Sequence, residues 1–282
     1  MFLGIDFGST TTKIVLVDDY KIVDKYRILR EESYMDILNK LDLSKVSKIM
    51  IVGTGASYIE GNICGIETVR VDELQAVGLG GYFLAGLDEC MVVSLGTGTS
   101  FTYVNQDKHQ HVGGTGIGGA LLDTLARYGL GMDDVEEFME LALRGSLDKS
   151  DLLIKDISKS GVDYLTADVT VANMAKIDKN SSPEDYAFGV CNMVFQNVGV
   201  MAILADRARV TRKIVVMGAI GRSKIARKIF DSVGELFGYE FIVPEEAVYG
   251  VAIGAVLVGD DDYVNSFSSF NQLMDDVDSI FE

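Results

Sequence analysis

Cysteine is scarce in this chain. Cys64, Cys90 and Cys191 are the whole set in 282 residues, and no two stand at C-x-x-C spacing. An odd, sparse set of this kind fits a reduced, cytosolic chain rather than a disulfide scaffold. Long apolar runs are missing as well: none reaches the roughly 18 residues that a membrane span needs. The opening MFLGIDFGST carries an acid and a polar turn together, so it does not read as a secretory signal. Positive charge is short, with 25 basic side chains against 42 acidic ones and a formal net charge of −17. That balance makes nucleic acid and anionic membrane surfaces poor partners. A cytoplasmic protein is expected.

What is present is ample apolar material. Hydrophobic residues make up 48% of the chain, enough for two modest domains or one large one. Phe2 to Asp6 reads as a strand, Gly8-Ser9-Thr10 as a turn, and Lys13 to Val17 as a second strand, with a third over Lys21 to Ile28. A helix is expected at 33–43, strands at 48–52 and 67–71, and a helix from Asp72 to about Gly86. From Cys90 the cycle repeats: the strand CMVVSL, the turn GTGTS and the returning strand FTYV. Helices follow near 117–129 and 132–144. Ser182-Pro183-Glu184-Asp185 opens a long helix over about 181–209, with proline at its first position. The strand 213–217, a helix to about Phe237, the strand 239–243 and an apolar helix at 248–258 complete the pattern. The division expected is 1–88, 89–262 and a tail at 263–282. Apolar residues at helical spacing in the tail predict an amphipathic helix, docked on its own core or on a partner.

Five segments carry chemistry. In Asp6-Phe7-Gly8-Ser9-Thr10-Thr11-Thr12-Lys13, a glycine and hydroxyl turn offers backbone N–H groups and short donors to a phosphate. Asp6, at the end of the preceding strand, could hold Mg²⁺ through water. Lys13 could add charge, or strand alternation could point it elsewhere. Ser94 to Ser100 holds Gly96, Thr97, Gly98, Thr99 and Ser100 in a second turn of the same type, about 90 residues on. Two such turns match two related domains clamping a nucleotide between facing hairpins. Neither is a Walker loop or a Rossmann fingerprint, because a strand, not a helix, follows each turn. The third segment, 112–120, places Gly113, Gly114, Gly116, Gly118 and Gly119 within seven positions before an apolar helix. Backbone can approach a ligand there, and a helix start favours an anion. The fourth, Gly218-Ala219-Ile220-Gly221, is a strand-to-helix turn. The fifth is Asp72-Glu73-Leu74. An acid at a helix start is explained by the helix dipole alone, or it is a general base.

GIDFGSTTTK, SLGTGTSFTYV, HVGGTGIGGALLDTLA, ADVTVANM and FQNVGVMAILADR, in that order, resemble the successive signatures of type II pantothenate kinases. The resemblance covers most of residues 1–258. It implies an α/β protein with the duplicated actin-like (ribonuclease H-like) ATPase fold, two domains with a nucleotide cleft between them. It implies Mg·ATP-dependent phosphorylation of pantothenate on its primary hydroxyl, the first step of coenzyme A synthesis. By resemblance, Asp6 organises Mg²⁺, and Gly8, Ser9, Thr10, Thr11 and Lys13 meet the ATP phosphates. Gly96, Thr97, Gly98, Thr99 and Ser100 complete the clamp, with Gly116, Gly118 and Gly119. Gly218, Ala219 and Gly221 lie beside adenine and ribose. Glu73 is the general base. Gly113, Gly114 and Thr115, with Asp168, Thr170 and Asn173, line the substrate side. The helix at about 181–209 forms a homodimer contact.

There is one departure. The family usually has Arg immediately before V-G-G, facing the transferring phosphoryl group, and here that position is His111. Neutral imidazole supplies less stabilisation than a guanidinium. Either His111 is protonated near the acidic site, or another cation, such as Lys13 or Arg127, takes the place, or the substrate differs. Activators of 2-hydroxyacyl-CoA dehydratases share the first hairpin but set a cluster-ligating Cys before their glycine-rich helix, and HVGGTGIGG has none. A sugar kinase and a non-catalytic nucleotide-binding regulator would share the same fold, and a substrate panel separates them.

Overall fold

The computed structural model describes residues 1–106, 108–159, 166–260 and 263. The chain opens with β1 (Phe2–Phe7), β2 (Thr11–Asp18) and β3 (Lys21–Leu29), then α1 (Tyr34–Leu38), β4 (Lys48–Val52), β5 (Thr68–Arg70) and α2 (Glu73–Ala85). A second series follows with β6 (Glu89–Leu95), β7 (Thr99–Asn105) and β8 (His109–Thr115), then α3 (Gly119–Leu130) and α4 (Val135–Ala142). Short elements come next: α5 (Leu147–Ser150), β9 (Leu152–Leu153), α6 (Ile154–Ile157) and β10 (Thr170–Ala172). The chain then runs through α7 (Pro183–Asp206), β11 (Lys213–Met217), α8 (Lys224–Phe237), β12 (Glu240–Ile242) and α9 (Gly250–Gly259). The expected tail helix lies outside the described residues.

The repeat expected from the two turns is a repeat of sheets. One sheet has the order β3-β2-β1-β4-β5, and the other has β8-β7-β6-β11-β12. In both, the first three strands pair antiparallel and the last two add in parallel. Strands buried on both faces read as unbroken apolar runs, and β1, β6 and β11 do. In β6, Met91, Val93 and Leu95 face the cluster under α7 and α8, while Cys90 and Val92 face α2.

The two sheets are joined by exchanged helices. α2 follows the first sheet yet packs Val77 against Val92, Val104 and Val215 of the second. α9 follows the second sheet yet packs Ala252, Ile253 and Val256 against Val15 and Val17 of the first. Both helices are apolar on all sides, as helices enclosed between two layers must be. Where they cross, side chains give way to backbone. A Cβ on Gly80 would stand 1.9 Å from the Gly250 carbonyl oxygen, and one on Gly254 would stand 1.8 Å from that of Ala76.

Several boundaries differ from the sequence pattern. The helix expected at 33–43 ends at Leu38, because Asp42 caps a separate turn at 43–45 through the Ser44 amide. The segment from His109 to Thr115 is an edge strand rather than a loop, held by pairing with β7. α7 is long and apolar enough by length and composition to cross a membrane, but its most apolar stretch is 67% buried in the core. Ser182 caps its start by accepting from the Asp185 amide.

Gly254→Ala tests the crossing. Helix propensity favours alanine by up to ~1 kcal/mol, whereas overpacking against a fixed carbonyl costs ~1–3 kcal/mol or more. Net destabilisation is expected by urea denaturation, and Gly116→Ala, where a Cβ meets nothing within 4 Å, is expected to leave stability near wild type.

Candidate active site

The repeat brings the two hydroxyl-rich turns face to face. The β1–β2 turn and the β6–β7 turn touch through Ser9 and Thr97, whose hydroxyl oxygens lie 2.5 Å apart across 88 residues of sequence. Backbone crowding shapes both turns. A Cβ on Gly8 would lie 2.8 Å from the Thr11 carbonyl oxygen and 3.0 Å from Lys13 Nζ. On Gly118 it would lie 2.8 Å from Gly98 Cα. The start of α3 is pressed against the second turn: the Gly119 amide donates to Gly96 (2.7 Å) and that of Ala120 to Thr97 (3.1 Å). The Thr99 hydroxyl donates to the Ile117 carbonyl at 2.7 Å. Two of the amides that a helix start leaves free for an anion are therefore already engaged.

The exit of β11 joins this cluster. Gly218 has φ +105°, and its amide donates to Ala247 at 2.9 Å. A Cβ there would meet the Leu95 carbonyl oxygen at 2.1 Å. Gly221 lies against Val216, and Ile220 lies 3.6 Å from the Cβ position of Gly119. Gly96, Gly98, Gly118, Gly119, Gly218, Ala219 and Gly221 thus sit around one turn. The first sheet has a counterpart that the five sequence segments do not include. Gly53, at the exit of β4, has φ +91°, and a Cβ there would lie 2.7 Å from Asp6 Oδ1. Its signal in the sequence is Gly53-Thr54-Gly55, which echoes Gly96-Thr97-Gly98.

Asp6 and Lys13 are cross-strand partners in β1 and β2, and Lys13 Nζ stands 3.0 Å from Asp6 Oδ2. Burial raises the Asp6 pKa above its ordinary 3.8, and Lys13 opposes the rise. Lys13 is therefore committed to Asp6. Glu73 is the first residue of α2. Asp72 before it caps the helix, accepting from the Gln75 amide at 2.9 Å. The Glu73 pKa is raised from 4.5, first by desolvation and then by the charges of Asp6 and Asp72, while Lys13 lowers it. Asp6, Lys13 and Glu73 share one electrostatic field.

His111 is exposed on β8, paired with Thr102 of β7. His109, on the same edge strand, is buried and has a structural role. Its Nε2–H donates to the Leu74 carbonyl at 2.9 Å, tying β8 to the first turn of α2 beside Glu73. The ring occupies a notch left by Gly78, where a Cβ would come within 2.1 Å of Nε2. Burial lowers the His109 pKa, which keeps the ring neutral near pH 7. Arg127 is held by Asp123 at 2.7 Å and Asp133 at 3.2 Å.

The remaining residues fall into two places. Gly113 and Gly114 lie within β8, Thr115 ends it, and Gly116 follows in the open turn. Thr170 and Asn173 belong to a separate polar group under α7, and Asp168 stands outside it. Asp168 is exposed and paired with Lys155 at 2.8 Å. Thr170 and Asn173 both donate to the fully buried Asp151 at 3.1 Å, and Asn192 of α7 donates to it at 2.8 Å. These hydrogen bonds run within the group and to α7, not to the hairpin turns. Among the described residues, no group of three or more His, Cys, Asp or Glu side chains could enclose a metal ion. Asp6 alone fits an ion held mainly by water and phosphate oxygens, as Mg²⁺ is.

A family model described as Fumble matches residues 86–230. The type II pantothenate kinase of Staphylococcus haemolyticus (strain JCSC1435) is 26% identical over 265 residues, covering 91% of this chain and 99% of that protein. That of Staphylococcus aureus (strain MRSA252) is 27% identical over 271 residues, covering 92% and 100%. Among solved structures, the activator of the 2-hydroxyisocaproyl-CoA dehydratase from Clostridium difficile with bound ADPNP superposes with a TM-score of 0.65 at 18% identity, covering 98% and 97%. A ROK family glucokinase from Streptomyces griseus in complex with glucose and AMPPNP gives a TM-score of 0.52 at 15% identity, covering 90% and 97%. These structures establish the fold as the duplicated actin-like ATPase fold.

Lys13→Met leaves the buried Asp6 carboxylate without its partner, which costs ~3 kcal/mol when a pair is truly buried. The folded Asp6 pKa then rises further, so the folded state holds the proton more tightly than the unfolded chain. The loss is greatest at neutral pH and shrinks as pH falls through the raised pKa. Urea denaturation of Lys13→Met against wild type at pH 7 and pH 5 measures it, and adding Asp6→Asn restores stability at pH 7.

Proposed function

The chain belongs to the Fumble family, and on that footing we propose that it is an ATP-dependent kinase that phosphorylates pantothenate on its primary hydroxyl. The observation that carries this reading is the meeting of the Ser9 and Thr97 turns beside a carboxyl pair, Asp6 and Glu73, whose pKa values are both raised. Facing turns of glycine and hydroxyl residues hold a phosphate chain. A helix-start carboxylate of raised pKa suits proton removal from an alcohol.

In this mechanism the Gly8–Thr11 and Gly96–Ser100 turns fix the phosphates through backbone N–H and hydroxyl donors, with Gly116, Gly118 and Gly119 close behind. Gly218, Ala219 and Gly221 supply a flat backbone surface for the nucleoside. Residues 1–88 and 89–262 act as two lobes closing on the nucleotide. Asp6 would hold Mg²⁺ through water, and the ion would offset charge on the phosphates. Glu73 takes the proton from the acceptor hydroxyl as it attacks in line. Positioning and charge stabilisation supply most of the rate in such transfers. Gly113, Gly114 and Thr115 shape the acceptor side near His111, with Asp168, Thr170 and Asn173 beyond. The dehydratase-activator reading lacks its ligand here: no Cys stands at the start of α3, and burial pushes the Cys90 thiol up to about 12.

The protein is also proposed to form a homodimer through α7. Met193, Asn197, Val200 and Leu204 lie at helical spacing, half-buried or exposed, along one stripe of that helix.

ADP release from Mg·ATP, with and without pantothenate and beside a panel of sugars and pantetheine, tests the activity. Stimulation by pantothenate supports it, and nucleotide binding without stimulation overturns the substrate. Glu73→Gln is expected to lower kcat by roughly 10²–10⁴ while ATP affinity stays close to wild type. A base must be ionised to act, so the acid limb of kcat is expected to fall above the ordinary Glu value of 4.5, as a pH–rate profile would show. For the dimer, sedimentation of Val200→Asp/Leu204→Glu should show a monomer where wild type shows twice that mass.

A further inference from the structure

A −17 protein that holds a polyphosphate needs cations at the right place, and the site has few. Lys13 is committed to Asp6 at 3.0 Å. Arg27, beside Thr10 and Thr11 on the wall of the neighbouring cleft, pairs with Glu136 at 3.6 Å. Arg127 is divided between Asp123 and Asp133. Arg30 differs. It follows β3, where its amide donates to the Thr10 carbonyl at 3.0 Å, so its backbone is fastened to the first turn. Its Nη1 donates to the Ser9 carbonyl at 3.2 Å. Its acidic neighbour Glu32 turns back to accept from the Leu29 amide at 2.7 Å. Arg30 makes no ion pair among the described residues, and the side chain is exposed.

We propose that Arg30 is the phosphate-contacting cation of this kinase, placed at the rim where the two turns meet. One guanidinium N–H is used on Ser9, and a guanidinium has five. The remaining donors form a planar fork of the kind that grips phosphate oxygens in pairs. The Ser9 carbonyl sets the approach of the fork, and the Ser9 hydroxyl reaches Thr97, so the cation is registered to both turns at once. Arg30 thereby brings a fixed positive charge from the first sheet to the rim where the two turns meet. ATP carries on its terminal phosphate a negative charge that ADP lacks, and a guanidinium fork at the rim where the turns meet is placed to grip that group. It should therefore separate ATP from ADP.

The inference rests on the kinase reading, and nucleotide affinity tests it separately from turnover. Affinities for Mg·ADPNP and Mg·ADP are measured by calorimetry on wild type, Arg30→Lys and Arg30→Met, with thermal unfolding as a control for folding. Arg30→Met is expected to weaken Mg·ADPNP about tenfold to a hundredfold, the range for a charged hydrogen bond, and to weaken Mg·ADP much less. Arg30→Lys keeps the charge without the fork and should fall between. In turnover, added guanidinium ion at millimolar concentration is expected to restore part of the activity lost by an Arg30→Ala variant. Equal weakening of both nucleotides, or none, with melting unchanged would overturn the proposal. Should wild type bind nucleotide but ignore pantothenate, the acceptor assignment fails, while the difference between ADPNP and ADP still decides the role of Arg30.

Discussion

The crossing of α2 and α9 is the constraint on which the rest of the molecule depends. Each helix leaves its own sheet to cover the other, and the two meet where Gly80, Gly250 and Gly254 leave no room for side chains. Backbone-to-backbone contact brings the two helices, and with them the two sheets, to close approach. That approach sets how the turns of β1–β2 and β6–β7 confront each other. The same α2 carries Glu73 at its start, so the carboxyl is positioned by the contact that positions the turns. His109, seated over Gly78, fastens the first turn of that helix to the second sheet.

Electrostatics supplies the second constraint. The protein carries a large negative excess, and the candidate site adds Asp6, Asp72 and Glu73 to it. The groups gathered at the facing turns are mainly neutral dipoles: amides, hydroxyls and glycines that let backbone approach. Dipoles fixed in place attract phosphate without requiring a net positive surface. Cations are used singly and with defined partners. The raised pKa values of Asp6 and Glu73 follow from this arrangement, since two carboxyl groups share a partly desolvated region with one lysine.

Much of this is legible in the sequence because it is local. The turn at Gly8-Ser9-Thr10, its echo at Gly96-Thr97-Gly98, and the Ser182-Pro183 start of α7 are set by nearby residue chemistry. β8 is not legible. His109 to Thr115 holds a single β-branched residue before its two glycines, and its extended form comes from pairing with β7 rather than from propensity. Gly53 escapes notice because its short glycine pair acquires meaning only once β4 is seen as the counterpart of β11. The partners of Arg30, His109 and Asp151 are long-range contacts and leave no periodic mark. Thr170 and Asn173 are real members of a polar cluster, but the hydrogen bonds they donate run to Asp151 under α7 and to Gln196 of α7 itself.

The helix exchange also bears on how the chain is made. The first sheet is complete in sequence by Arg70, yet the helix that covers Val15 and Val17 begins only at Gly250, about 180 residues later. At a synthesis rate of roughly 5–20 residues per second, that apolar face stands uncovered for ~10–40 s on the ribosome. The amino-terminal portion cannot finish folding as it emerges. Closing that face waits on the far end of the chain.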